Sequence, residues 1–126
     1  MVNNAVFVKE NILKDKSYKF ALRIVSLYKY LMSEKKEFVL SKQVLRSGTA
    51  IGALVREAEF AQSKFDFVSK MSIALKEASE TDYWLNIFKD TKYLTKKEFE
   101  SMSVECCELL KLLIAIIRTA KSKVGK

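Results

Sequence analysis

The chain has 126 residues, 49% of them hydrophobic, with three glycines, no proline and no histidine. That length suits one domain with a modest core, and the composition favours long uninterrupted helices over a disordered segment, so the expected class is all-α. The net charge of +8 suits an anionic partner, and without histidine the commonest general base is absent.

Residues 1–14 carry no helical stripe and read as an N-terminal arm or a disordered segment. Phe20, Ile24, Leu27, Tyr28 and Leu31 recur at helical spacing and predict a first helix over Ser17–Ser33. The stretch LSKQVLRSGTAIGALVREAEFA, Leu40 to Ala61, holds a second stripe of Leu40, Val44, Ser47, Ile51, Leu54 and Ala58, so a helix is expected from Glu37 to Ala61. Gly48 and Gly52 stand four apart beside that stripe. Each costs a helix interior about 1 kcal/mol relative to alanine, and close approach of another backbone is the expected return.

Ser63 with Asp66 resembles a capping box and opens a third helix to Asp90, whose seam is Phe67, Met71, Ala74, Ala78 and Leu85. Thr95 with Glu98 is the full capping pair for a fourth helix, on which Met102, Cys106, Leu109, Leu113, Ile116 and Ala120 point one way. Short links at 34–36, 62–63 and 91–94 make neighbouring helices antiparallel. The expected architecture is an up-down-up-down four-helix bundle over residues 15–121, followed by a basic tail at 122–126. Adjacent Cys106 and Cys107 cannot form a C-x-x-C pair, and the spacing turns Cys106 inward and Cys107 outward.

QVLRSGTAIGA followed by REA, and ALKEASETDYWL at 74–85, resemble the four-helix-bundle proteins encoded in intervening sequences of bacterial 23S rRNA genes, from about Lys14 to Lys121. Leu54 departs from the family pattern, standing where many relatives carry an asparagine, so no asparagine-dependent polar contact is expected there. The resemblance implies a small helical scaffold, often homopentameric, with no established catalytic site. It extends more weakly to the accessory variability proteins of diversity-generating retroelements, basic helical pentamers similar to partners of a reverse transcriptase. A protein-protein adaptor for such a nucleic-acid enzyme is therefore the rival expectation.

Charge is unevenly spread: residues 1–56 sum to +7, residues 57–108 to −4 and residues 109–126 to +5. A basic surface attracts RNA or DNA, and oppositely charged faces attract one another between copies of the chain. The outward faces of the first two helices offer Lys19, Arg23, Lys29, Lys42 and Arg56, interleaved with Tyr30 and Phe60, as the candidate nucleic-acid surface. Ile73, Trp84 and Ile87 on the third helix, with Phe60, are the candidate oligomer interface. Arg46 comes level with residue 79 in an antiparallel pair, which brings Glu77, Glu80 and Tyr83 within reach as a structural polar network.

Catalysis finds little support, because no phosphate-cradling glycine loop accompanies the missing histidine. Glu57, Glu77, Glu80 and Asp82 are too dispersed for a hard-cation site, so no metal and no cofactor are expected. No secretory signal opens the chain and no apolar run is long enough to span a bilayer. The expectation is a cytoplasmic protein without membrane association, non-enzymatic, partnered by itself and by a nucleic acid.

Overall fold

The computed structural model describes residues 4–124. Helix α1 spans Asn4–Ser33, α2 Leu40–Ala58, α3 Lys64–Asp90 and α4 Lys96–Val124, and no strand occurs among the described residues. Each helix packs on two others, α1 on α2 and α4, and α3 on α2 and α4. Ser17 meets Gly52 and Ile24 meets Gly48, Glu57 pairs with Lys70 and Ser47 with Thr81, and Lys16 and Arg23 reach Glu108 and Ser101. Cys106 meets Ala78, and Phe99 meets Lys89. Residue numbers rise on one helix as they fall on its neighbour, which gives the antiparallel up-down-up-down bundle.

The core runs the length of the bundle. Leu13, Phe20, Ile24 and Leu31 of α1 meet Val44 and Ile51 of α2, Met71, Ala74, Ala78, Leu85 and Phe88 of α3, and Cys106, Leu109, Leu113 and Ile116 of α4, all essentially without solvent exposure. Cys106 is buried and Cys107 exposed. Burial above all, with Asp82 and Cys107 nearby, pushes the Cys106 thiol up to about 12, so it stays protonated and donates to the Ala78 carbonyl at 3.4 Å.

Helix α1 begins at Asn4 rather than near Ser17, so residues 4–14 extend the helix instead of forming an arm or a disordered segment; residues 1–3 lie outside the described residues. The buried stripe in fact starts at Leu13 and continues through Ser17 to Phe20. Ser17 hides that continuity, being a polar residue in an apolar row; its hydroxyl is satisfied by the Lys14 carbonyl at 3.2 Å, as a buried polar group must be. At the other end α4 continues to Val124, into the stretch expected as tail; residues 125–126 lie outside the described residues.

Helix α2 is shorter at both ends than the expected Glu37–Ala61. Glu37 lies outside it and caps it, accepting from the backbone N–H groups of Ser41 at 2.7 Å, Leu40 at 3.1 Å and Val39 at 3.3 Å, while the Ser41 hydroxyl donates to the Glu37 carbonyl at 2.9 Å. A carboxylate facing the open N–H groups of a helix start is also favoured by the macrodipole. Burial works to raise the Glu37 pKa, but these hydrogen bonds together outweigh it and hold the carboxyl below the usual glutamate value.

A depressed carboxylate pKa contributes stability that is present above the unfolded value, about 4.3, and is lost as pH falls through the folded value. Glu37→Gln is therefore expected to lower stability by about 1–2 kcal/mol near neutral pH. The gap to the wild type should close only below about pH 4, where the wild-type carboxyl itself protonates. Urea unfolding measured across pH checks this, and a gap independent of pH would assign the loss to shape rather than charge.

The remaining helix ends follow the sequence closely. Ser63 Oγ accepts from Asp66 N at 3.0 Å, although the Asp66 carboxylate takes Gln62 N at 3.1 Å rather than closing back on Ser63. Thr95 and Glu98 form both bonds of a capping box, at 2.9 and 3.1 Å. Helix α3 ends with Tyr93 N donating to the Phe88 carbonyl at 2.9 Å and Lys92 N to Lys89 at 3.2 Å. This is the Schellman pattern, with Lys92 at φ 71° in the position that usually favours glycine.

Candidate functional site

The five expected basic contacts divide between two faces. Lys29 falls three turns after Tyr18 on α1, and Lys42 falls four turns before Arg56 on α2, so helical spacing sets all four on the outer α1/α2 face. Lys29, Lys42 and Arg56 are exposed there. Over the 14 residues from Lys42 to Arg56 the strip runs about 20 Å. Arg56 holds its guanidinium 5.6 Å from the centre of the Tyr18 ring, a cation–π contact that keeps it flat against the surface.

Lys19 and Arg23 do not join that strip. Lys19 pairs with Asp15 at 3.0 Å. Arg23 reaches across to α4, where it donates to the Ser101 carbonyl at 3.1 Å and hydroxyl at 2.8 Å and pairs with Glu105 at 2.8 Å. With Lys16 bound to Glu108, the α1/α4 side is a ladder of matched charges, and its cations are spent on the protein itself.

Between α1 and α2 lies a groove of about 490 Å³. Tyr18, Arg56 and Phe60 line it together with the small Ala21, Gly52 and Ala53, and Lys14 and Glu57, which also line it, are paired with Glu59 and Lys70. Gly52 lines it at the point where the two helices approach closely. A Cβ added at Gly52 would stand 3.2 Å from the Ser17 carbonyl oxygen, and one at Gly48 would stand 2.6–2.8 Å from the Ile24 side chain. Gly52 thus serves the close backbone approach that the spacing predicts, whereas the space at Gly48 is taken by the Ile24 side chain. Tyr18 was not among the residues singled out from the sequence. It is an exposed aromatic in an otherwise polar turn, and only its level against Arg56 gives it significance.

Phe60, expected beside Ile73, Trp84 and Ile87, instead faces this groove, which none of those three α3 residues lines. Ile73 is 40% exposed, while Trp84 and Ile87 are half-buried and Trp84 packs against the core. The polar network forms around Arg46, which pairs with Glu77 at 3.1 Å and Glu80 at 2.7 Å, and Glu80 also accepts from the Trp84 indole N–H at 3.0 Å. The indole bond first, and then Arg46, hold the Glu80 carboxyl below its ordinary value. The two carboxylates raise the Arg46 pKa further, so it stays charged.

Tyr83 is no hydrogen-bonding member of that network: it is mostly exposed and meets the Trp84 ring edge-on at 5.2 Å. Beneath the network Thr81 Oγ1 and Ser47 Oγ are 2.9 Å apart and fully buried, a hydroxyl pair that fixes the α2/α3 register. Arg46 and Glu80 are substantially exposed, so their pairing adds at most about 1 kcal/mol. This arrangement orients side chains, and it leaves Glu77 Oε1 buried without a hydrogen-bond partner.

Among the described residues no three His, Cys, Asp or Glu side chains converge on a point that would hold a metal. No helix among them is long and apolar enough to cross a membrane.

Residues 9–115 match a family model described as 23S rRNA-intervening sequence protein. The chain is also similar to a solved crystal structure of a protein with unknown function from the S23 ribosomal protein family of Bacteroides thetaiotaomicron. The two are 58% identical, the match covers 87% of this chain and 98% of the other, and the TM-score is 0.86. Comparison with curated proteins finds no match.

Proposed function

Since this chain belongs to the 23S rRNA-intervening sequence protein family, and a solved structure similar to it is described as a protein with unknown function, we propose its role from its own surface. It is a non-enzymatic helical scaffold that binds RNA or another nucleic acid along the outer α1/α2 face and associates with copies of itself, a homopentamer being the favoured assembly. The observation that carries the nucleic-acid reading is the separation of its cations. Lys29, Lys42 and Arg56 line an exposed strip beside aromatic rings, whereas Lys16, Lys19 and Arg23 are matched to carboxylates. Self-association is supported by the opposite charge of the 1–56 and 57–108 segments and by the apolar Ile73 and Ile87 beside Trp84 on α3. A ring would repeat the basic strip and raise avidity.

RNA binding by such a strip releases counterions, so log affinity should fall linearly with log salt. Lys42→Glu combined with Arg56→Glu removes two phosphate contacts and should flatten that slope by about 1.4 for a single strand. Both side chains are exposed, so the melting temperature should hardly move. Fluorescence anisotropy against salt measures the slope, and native mass on the same sample gives the subunit count. An unchanged slope would place the contacts elsewhere. Absence of binding even at low salt would favour the role of adaptor for a nucleic-acid enzyme, and a monomer at high concentration would end the self-association reading.

A further inference from the structure

The α1/α2 groove has a chemistry that the basic strip alone does not require. A phosphate backbone needs only cations, yet here two exposed rings, Tyr18 at 52% and Phe60 at 80% exposure, line a groove together with the small Ala21, Gly52 and Ala53. Neither ring takes part in the core. The guanidinium of Arg56 lies over one of them. Flat walls suit a flat ligand, and a guanidinium at the wall suits one that carries negative charge. The volume of about 490 Å³ falls within the ~300–1,000 Å³ range of ligand clefts.

A second groove of similar size, about 480 Å³, lies between α1 and α4 and makes a useful contrast. Its Arg23 is tied to Ser101 and Glu105, and Glu98 at its edge is held in the capping box of α4. The second groove also has a ring, Tyr30, and an exposed Lys97, but Tyr30 is half-buried against the core. Of the two, only the α1/α2 groove has two largely exposed rings, and the exposed Lys42 continues its charge along the same face of α2.

We propose that the Tyr18–Arg56–Phe60 groove is a binding site for an unpaired base of single-stranded RNA, the flanking phosphates running along Arg56 and Lys42. This rests on the nucleic-acid reading above and adds that the protein distinguishes a single strand from a duplex. Bases inside a duplex are stacked on one another and present no free face to the rings, whereas a single strand can turn a base outward. Stacking of that kind tolerates any base, because every base has a π-face.

Anisotropy titrations of the full chain at low salt test it with three RNA probes of about 12 nucleotides, matched to typical single-strand site sizes: a mixed-sequence single strand, its duplex, and the same strand with abasic sites. The single strand should bind at least about tenfold more tightly than either of the others. Tyr18→Ala with Phe60→Ala should abolish that preference while the salt-dependent binding common to all three probes persists. Phe60→Ser alone, at a largely exposed position, should reduce the preference without lowering the melting temperature.

Equal affinity for the three wild-type titrations, or a preference that survives the double variant, overturns the groove site while leaving backbone binding by the basic strip intact. No binding to any probe overturns both. If the double variant keeps its preference but loses native mass, the groove belongs to a second copy of the chain, and the base-binding site is again overturned.

Discussion

Gly48→Leu should lower stability by about 3 kcal/mol, near the upper end of overpacking costs, and so lower the melting temperature by roughly 10–15 °C for a domain of this size. A bare Cβ at this position would already stand 2.6–2.8 Å from three atoms of Ile24, where carbon–carbon contacts settle at about 3.5–4.0 Å. Ile24 has no exposed surface and, being β-branched on a helix, has essentially one χ1 rotamer. It cannot swing clear, so the strain passes to the α1 and α2 backbones. The intrinsic gain from removing a helix glycine, about 1 kcal/mol, is too small to offset it. Thermal and urea unfolding followed by circular dichroism measures the loss. Gly48→Ala made together with Ile24→Val supplies the contact test. Deleting Ile24 Cδ1, 2.7 Å from the added carbon, should recover part of the Gly48→Ala loss in a double-mutant cycle. Strict additivity, or a Gly48→Leu protein that melts like the wild type, would mean that α1 and α2 do not approach so closely.

Those glycines show which part of the molecule can be read from sequence. Helical periodicity identifies Ile24, Val44, Ile51, Met71, Leu85, Leu109 and Leu113 as core, and all are buried, because an apolar stripe on a rod has only one stable destination. The capping pairs work for the same reason, being local and fixed by spacing. The start of α1 fails because Ser17 interrupts an otherwise continuous stripe, and the hydrogen bond that satisfies it inside the bundle is a property of the folded helix. Glu37 is similar: a charged residue looks like a surface residue until the three N–H groups it collects are seen.

The site was less legible than the fold. Lys29, Lys42 and Arg56 are exposed, whereas Arg23, equally basic in the sequence, is neutralised by Glu105, more than 80 positions away, and Lys19 by Asp15, one turn before it on the same helix. Pairing across α1 and α4 depends on tertiary register, which composition does not encode. Tyr18 and Arg56 come together only through the same kind of register. Arg46 was easier, since its partners Glu77 and Glu80 follow from counting residues back from the α2–α3 turn.

The largest loss expected from a single truncation is at Phe88, where Phe88→Ala should cost about 3–5 kcal/mol out of the 5–15 kcal/mol typical of a whole domain. Phe88 has no exposed surface and is, with Phe20, among the largest fully buried side chains. Its ring meets Tyr93 nearly perpendicular, 6.2 Å between centres, and its carbonyl receives both Tyr93 N and Leu94 N. One residue therefore fills the core and anchors the chain reversal from α3 into α4, and a void there is poorly placed to collapse because the turn already holds Lys92 in a left-handed conformation. Trp84→Ala, one turn earlier, should cost less, since the indole is half-buried and bonded at its rim to Glu80. Urea unfolding of the two variants gives the order directly, and a larger loss at Trp84 would move the centre of the bundle toward the face of α3 that bears Ile73. The α3–α4 corner contributes nothing to the Tyr18–Arg56–Phe60 groove, so Phe88→Ala protein kept cold enough to remain folded should bind RNA with the salt slope of the wild type. Stability and binding are thereby separable in this bundle, because the residues that seal its core and those that line its basic face belong to different sides of the same helices.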